Sequence, residues 1–123
     1  MNELDVTTQR IRAFRDARDW QKFHNPKNLA CSISIESAEL LEHFQWKTPE
    51  ESTAYSATMR DALSEEIADV GIYLIALADN LGIDLLKAIE RKLAINESKY
   101  PVEKAKGSAK KYTEYLENKE SGQ

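Results

Sequence analysis

Four carboxylates in two pairs are the residues of this chain whose type and spacing could do chemistry: Glu36 with Glu39, and Glu66 with Asp69. Each pair is spaced i, i+3, which puts both acids on one face of a helix. Around the second pair, Met59, Leu63, Val70, Tyr73, Leu77 and Leu81 form one apolar stripe at about 100° per residue, with Glu66 in its middle and Asp69 at its edge. Around the first, Leu29, Ile33, Leu40 and Phe44 form the stripe, Glu36 borders it, and Glu39 and His43 continue the border. A carboxylate on a core-facing stripe needs a cation or a set of donors, because an isolated buried charge is prohibitively costly. Yet no Lys or Arg occurs from Asn28 to Trp46 or from Asp61 to Leu86. The simplest source of the missing charge is a divalent metal shared by two helices.

Hard oxygen ligands point to Mg²⁺, with Mn²⁺ as the alternative, whereas zinc would want His or Cys at matched spacing. Mg²⁺ is commonly held by one or two carboxylates, waters and the phosphates of a substrate. A di-iron carboxylate bundle is disfavoured, since it uses Glu-x-x-His and here Glu39 and His43 are four apart. His43 reads more readily as a neighbour of the site or a surface residue than as a ligand. Trp20, Phe23, His24, Trp46 and Tyr73 offer ring faces on which a nucleobase could stack, although each taken alone is more often packing.

The elements that must position these groups are helical. With 123 residues the chain makes one domain, and its core is small for helices with several apolar faces, so oligomerisation is expected. The formal charge of -4 argues against a general nucleic-acid binder. More than half of the 17 Lys and Arg residues lie from Lys87 onward, a segregation suited to a small anionic ligand carrying its own metal. The single Cys31 rules out an internal disulfide, fits a reducing cytosol and reads as core filling. The first residues show no basic or apolar leader pattern, and the longest uncharged apolar run, Val70 to Ala78, is far short of the roughly 20 residues of a membrane span. A cytoplasmic protein without membrane contact is the expectation.

In chain order, Asp5 is expected to cap a first helix reaching about Trp20, with Val6, Ile11, Phe14 and Ala17 inward. Asn25-Pro26 starts a second helix reaching about Trp46. Thr48-Pro49-Glu50-Glu51 has the form of a capping box and opens a short helical turn. A break within Tyr55–Thr58 precedes the helix bearing Glu66, which ends near Leu81 because Gly82 suits the left-handed position beyond it. Asp84 caps a last long helix, with Leu85, Leu86, Ile89, Leu93 and Ala94 inward, closed by Tyr100-Pro101. From Val102 onward the chain is Lys- and Glu-rich without an apolar period, an appendage expected to end in disorder. The expected fold is all-α, a bundle of about four main helices completed by oligomerisation, with a domain over residues 1–105 and a tail over 106–123.

Trp20-Gln21-Lys22-Phe23-His24, Glu36-Ser37-Ala38-Glu39-Leu40, Phe44-Gln45-Trp46-Lys47, Glu65 through Leu74, and Asn96 with Lys99-Tyr100-Pro101 resemble, in this order, the all-α nucleoside triphosphate pyrophosphohydrolases. Within that MazG-like superfamily the chain is most similar to the dCTP pyrophosphatase branch, over about Arg18 to Tyr112. The resemblance implies that Glu36, Glu39, Glu66 and Asp69 bind Mg²⁺. It implies a nucleotide pocket formed by Trp20, His24, Trp46 and Tyr73, with Lys92 and Asn96 near sugar or phosphates. It further implies cleavage between the α- and β-phosphates to a nucleoside monophosphate and pyrophosphate, removal of unwanted nucleotides, and dimers or tetramers, the tetramer favoured, with composite sites. Two positions depart from the pattern. Ile35 precedes Glu36 where the broader superfamily often has a second Glu, and Ile11 stands where the animal dCTP enzymes have His, which opens the base preference to related dNTPs. The competing reading is a non-catalytic helical oligomer that binds nucleotides or a protein.

Overall fold

The computed structural model describes residues 1–107, and in them every regular element is helical. The chain divides into two compact units, the first Met1–Ile83 and the second beginning at Asp84. The first holds α1 (Glu3–Ala17), a 3₁₀ turn (Gln21–Phe23), α2 (Pro26–Glu42), α3 (Pro49–Thr58) and α4 (Arg60–Asn80). The second holds α5 (Leu85–Lys99) and the one-turn α6 (Val102–Ala105). That short helix lies in the stretch expected to be an appendage to the core. The expected disordered end and most of the expected tail fall outside the described residues.

Helix starts follow local chemistry. Asn2, not Asp5, caps α1: its side chain accepts the Asp5 N–H at 2.8 Å, while the Asp5 carboxylate accepts the Asn2 N–H at 3.0 Å. Asp5 is therefore the third residue of a reciprocal capping box. Asn25 caps α2 ahead of Pro26, Thr48 and Glu51 form the box that starts α3, and Asp84 caps α5, all as the sequence leads one to expect. The stops are equally local. α1 ends at Ala17, before the expected Trp20, because Asp19 adopts φ +56° and the Trp20 N–H bonds back to the Arg15 carbonyl. At the end of α4, Gly82 takes φ +69°, its N–H reaches the Asp79 carbonyl and the Ile83 N–H reaches the Ala78 carbonyl. Both ends have the paired bonds of a Schellman motif, Asp tolerating the left-handed position in one and Gly in the other. α2 stops at Glu42 and turns continue to Trp46, so Trp46 lies beyond the helix.

In the first unit α4 is the axis: α2 packs along it most extensively, and α1 and α3 also meet it. Leu29 on α2 and Leu63 and Ala78 on α4 are buried. Ile33, Leu40, Phe44, Val70, Tyr73 and Leu77 are half-buried, which matches the two stripes, whereas Met59 and Leu81 at the stripe's ends are exposed. On α1 the inward line is Leu4, Thr8, Ile11 and Arg15, with Val6 and Phe14 outside. Thr8 is admitted because its hydroxyl donates to the Leu4 carbonyl at 2.7 Å. Cys31 is exposed, not core, because it shares the uncovered face of α2 with Ile35 and Ala38. Leu86, Ile89 and Leu93 of α5 are exposed as well.

The tie between α1 and α4 is ionic. Arg12 grips Asp79 through both of its carboxylate oxygens, Nε to Oδ2 at 2.8 Å and Nη2 to Oδ1. Hydrogen bonding by Arg12 holds the Asp79 carboxyl below its ordinary value. A depressed acid stabilises the fold above its unfolded pKa, about 3.9 for Asp, and that contribution is lost as pH falls through the folded value. Asp79→Asn is expected to lower the urea midpoint at pH 7, with parent and variant converging as the pH drops below about 4; circular dichroism across a pH series checks this.

Candidate metal centre

The pairing of α2 with α4 brings three of the four predicted carboxylates together. One oxygen each from Glu36, Glu39 and Glu66 lie within 4.8 Å of one another. Glu36 and Glu66 are half-buried, and Oε2 of each is sealed from solvent with no hydrogen-bond partner. Burial pushes the Glu36 carboxyl up from its ordinary value, and Glu39, Asp69 and Glu66 push it further. Glu66 is raised by burial first and then by Glu39 and Asp69, with His43 acting weakly in the opposite sense. Asp69 is exposed and lies outside the three-residue cluster, acting on it through its field.

Two sealed carboxylate oxygens without donors are an uncompensated cost. Three converging hard oxygens fit a divalent cation, which would supply the charge that no Lys or Arg on these helices supplies.

Beside the cluster opens a pocket of about 560 Å³ lined by Glu39, Glu42, His43, Lys47, Tyr55 and Glu66. Its second wall comes from the α2–α3 connection. The His43 Nδ1 and Tyr55 Oη share a hydrogen at 2.6 Å, Lys47 Nζ donates to the His43 carbonyl at 2.7 Å, and the same ammonium sits 4.1 Å from the centre of the Tyr55 ring. Tyr55 had no role in the sequence reading. The capping box at Thr48 could have located it, since that box starts the helix on which Tyr55 stands two turns later.

None of the five expected base-stacking rings lines this pocket. Trp20 is partly exposed and meets Phe14 edge-to-face with centroids 5.7 Å apart. Phe23 is exposed with the Lys22 ammonium 5.4 Å from its ring, and Trp46 is 88% exposed. His24 is half-buried beside the end of α4, its carbonyl accepting from Asn80 at 3.0 Å, and Tyr73 is half-buried on α4. Ile11 borders a separate, mainly apolar pocket of about 330 Å³ with Thr7, Arg10, Phe14 and Ile72. Lys92, exposed, and Asn96, half-buried, stand on α5 in the second unit.

The model of the MazG-like family matches residues 31–115, which contain all four acids. The chain belongs to the MazG-like family. Among similar proteins, dCTP pyrophosphatase 1 of Homo sapiens and that of Bos taurus are each 46% identical to this chain over 103 residues, 82% of its length and 61% of theirs. The chain thus spans about three-fifths of the length of these curated relatives. A pyrophosphatase from Archaeoglobus fulgidus DSM 4304, known from a crystal structure, superposes with a TM-score of 0.79 at 46% identity, covering 82% of this chain and 94% of that one. The all-α fold expected from the sequence is that of this family. None of the described helices is long and apolar enough to cross a membrane.

The acids make a prediction independent of activity. Because Glu66 is raised, its ionised form weakens the metal-free protein, and that penalty disappears as pH falls through the folded value, the opposite sense to Asp79. In chelator at pH 7, Glu66→Gln is expected to melt at or above the parent, the difference closing on acidification. Mg²⁺ should then raise the parent's melting temperature and leave the variant's unchanged. Differential scanning fluorimetry with and without metal reads both.

Proposed function

We propose that this MazG-like protein is a Mg²⁺-dependent nucleotide pyrophosphohydrolase that converts a deoxynucleoside triphosphate and water to the monophosphate and pyrophosphate, clearing unwanted nucleotides from the pool. The observation that carries this reading is the pair of sealed, partnerless oxygens on Glu36 and Glu66 converging with Glu39 beside an open polar pocket. Its relatives named as dCTP pyrophosphatases support a dCTP-like substrate.

Glu36, Glu39, Glu66 and Asp69 would hold the ion; Mn²⁺ would satisfy the same donors. A divalent ion there neutralises phosphate charge and eases the deprotonation of water. The chain's own contribution is positional. The α2–α4 packing fixes the carboxylates, so a bound triphosphate meets an arranged set of charges. Trp20, Phe23, His24, Trp46 and Tyr73 are assigned to the base, and Lys92 and Asn96 to sugar or phosphates.

A homo-oligomer, a tetramer in preference to a dimer, is part of this proposal. Ile35 and Leu41 on α2 and Ile67 and Leu74 on α4 are exposed, a distribution suited to further copies of the chain. A cytoplasmic setting without nucleic-acid or membrane partners agrees with the net charge and the single thiol.

The test is a dNTP panel with Mg²⁺ and chromatographic identification of products. Pyrophosphate and a monophosphate are expected in equal amounts, with release of inorganic phosphate alone counting against the assignment. Glu39→Gln is expected to lower turnover by about a hundredfold or more while retaining its helical circular dichroism, given that outer partners of metal ligands alone account for about 10–100-fold. Nucleotide binding by calorimetry without any product would instead establish the non-catalytic reading.

A further inference from the structure

The α2–α3 connection supplies a charge that the acid cluster does not explain. Of the six residues lining the 560 Å³ pocket, three are acids and Lys47 is the one Lys or Arg. Lys47 is half-buried, yet it forms no ion pair with any carboxylate among the described residues. Glu51, the acid whose carboxyl feels its field, is committed to the N–H of Thr48 at 3.0 Å. One donor of the ammonium goes to the His43 carbonyl, and the Tyr55 ring face fixes its position. An ammonium has three donors, so two remain for a ligand.

Beside it, His43 and Tyr55 together hold two hydrogens when neutral, one on the ring and one on the hydroxyl, and their 2.6 Å contact uses one. If Tyr55 donates, the Nε2–H of His43 is left; if His43 donates, the hydroxyl hydrogen of Tyr55 is left. In either tautomer one donor remains. This wall does not suit a nucleobase, because the Tyr55 ring already meets Lys47 at 4.1 Å, His43 at 5.7 Å and Phe44 at 5.9 Å.

We infer that Lys47, with the donor left over from the His43–Tyr55 pair, forms the subsite for the phosphates that leave as pyrophosphate, opposite the wall formed by Glu39 and Glu66. This rests on the pyrophosphohydrolase reading and names a residue for the leaving group within it. In the step, a water oxygen forms a bond to the α-phosphorus and the bond from that phosphorus to the bridging oxygen breaks. The electron pair stays on the oxygen of the departing pyrophosphate, and the water's proton passes to solvent. Lys47 faces the charge that gathers on the leaving group, where a fixed cation lowers the barrier most. Tyr55 is a positioning residue, whose ring holds the ammonium in place.

The experiment is calorimetric titration of the Mg²⁺-saturated protein with inorganic pyrophosphate and with a nucleoside monophosphate, alongside dNTP turnover. Lys47→Gln is expected to weaken pyrophosphate about tenfold or more, the loss of one charge-assisted contact, and to leave monophosphate affinity and the metal-induced melting shift as in the parent. Lys47→Arg should recover most of the pyrophosphate affinity. Tyr55→Phe should retain it, since the ring face stays and neutral His43 keeps one N–H to donate, and Tyr55→Leu should lose it with the ring face. A parent that turns over dNTPs but whose Lys47→Gln variant binds pyrophosphate normally, or loses both ligands equally, overturns the subsite and leaves the enzyme standing. A parent with neither turnover nor pyrophosphate binding overturns both.

Discussion

Mutual repulsion among three carboxylates, held in place by the packing of α2 on α4, is the constraint on which the rest of the first unit depends. Leu29 and Leu63 are buried in the stripes that carry Glu36 and Glu66, so the contacts that bury the leucines also force the acids together. A lysine one turn away on either helix would relieve the strain and fill the space. Neither acid-bearing stretch holds one, and the cations of this unit stand outside those stretches: Arg10, Arg12 and Arg15 on α1, Arg18 and Lys22 just after it, Lys27 at the start of α2, Lys47 in the turn after α2 and Arg60 at the start of α4.

α4 therefore bears two kinds of acid about 20 Å apart by helical rise, and they respond to their surroundings in opposite ways. Asp79 is gripped by Arg12 and depressed, which is what a structural ion pair does to a carboxyl. Glu66 is raised, with no cation among its neighbours other than what His43 offers. The contrast within one helix separates an acid that secures the fold from one that forms no ion pair with Lys or Arg among the described residues.

Most of this was legible in the sequence because it rests on periodicity and caps. The two stripes placed Glu36, Glu39 and Glu66 on facing sides, and Asn25-Pro26, Thr48-Pro49-Glu51, Gly82 and Asp84 marked boundaries by chemistry confined to a few residues. Where two local readings competed, sequence alone chose wrongly: Asp5 can cap a helix, but Asn2 was free to do so and took Asp5 as its partner. Asp19 in a left-handed conformation ended α1 early, since Asp signals that role less clearly than Gly. Tyr55 escaped notice for another reason. Its partners, His43 and Lys47, belong to a turn whose path is set by tertiary contacts, and no helical period links them. Trp20, Phe23, His24 and Trp46 lie in connections too, which is why their types pointed to a ligand while their positions could not be inferred from spacing.

The same economy explains the thin core. Among the described residues only Leu29, Leu63 and Ala78 are buried hydrophobics, whereas Ile35, Leu41, Ile67 and Leu74 face outward on the two helices that carry the acids. At about 25 cal/mol per Å² of apolar surface buried, so few covered side chains leave little in reserve against three clustered negative charges. Covering the outer faces of α2 and α4 would stiffen the very helices that fix the carboxylates, and a cation between the carboxylates would remove the repulsion those helices resist. Assembly and metal binding would then act on one element from opposite sides. Each would lower the cost of the other, which would link the two thermodynamically through the α2–α4 contact.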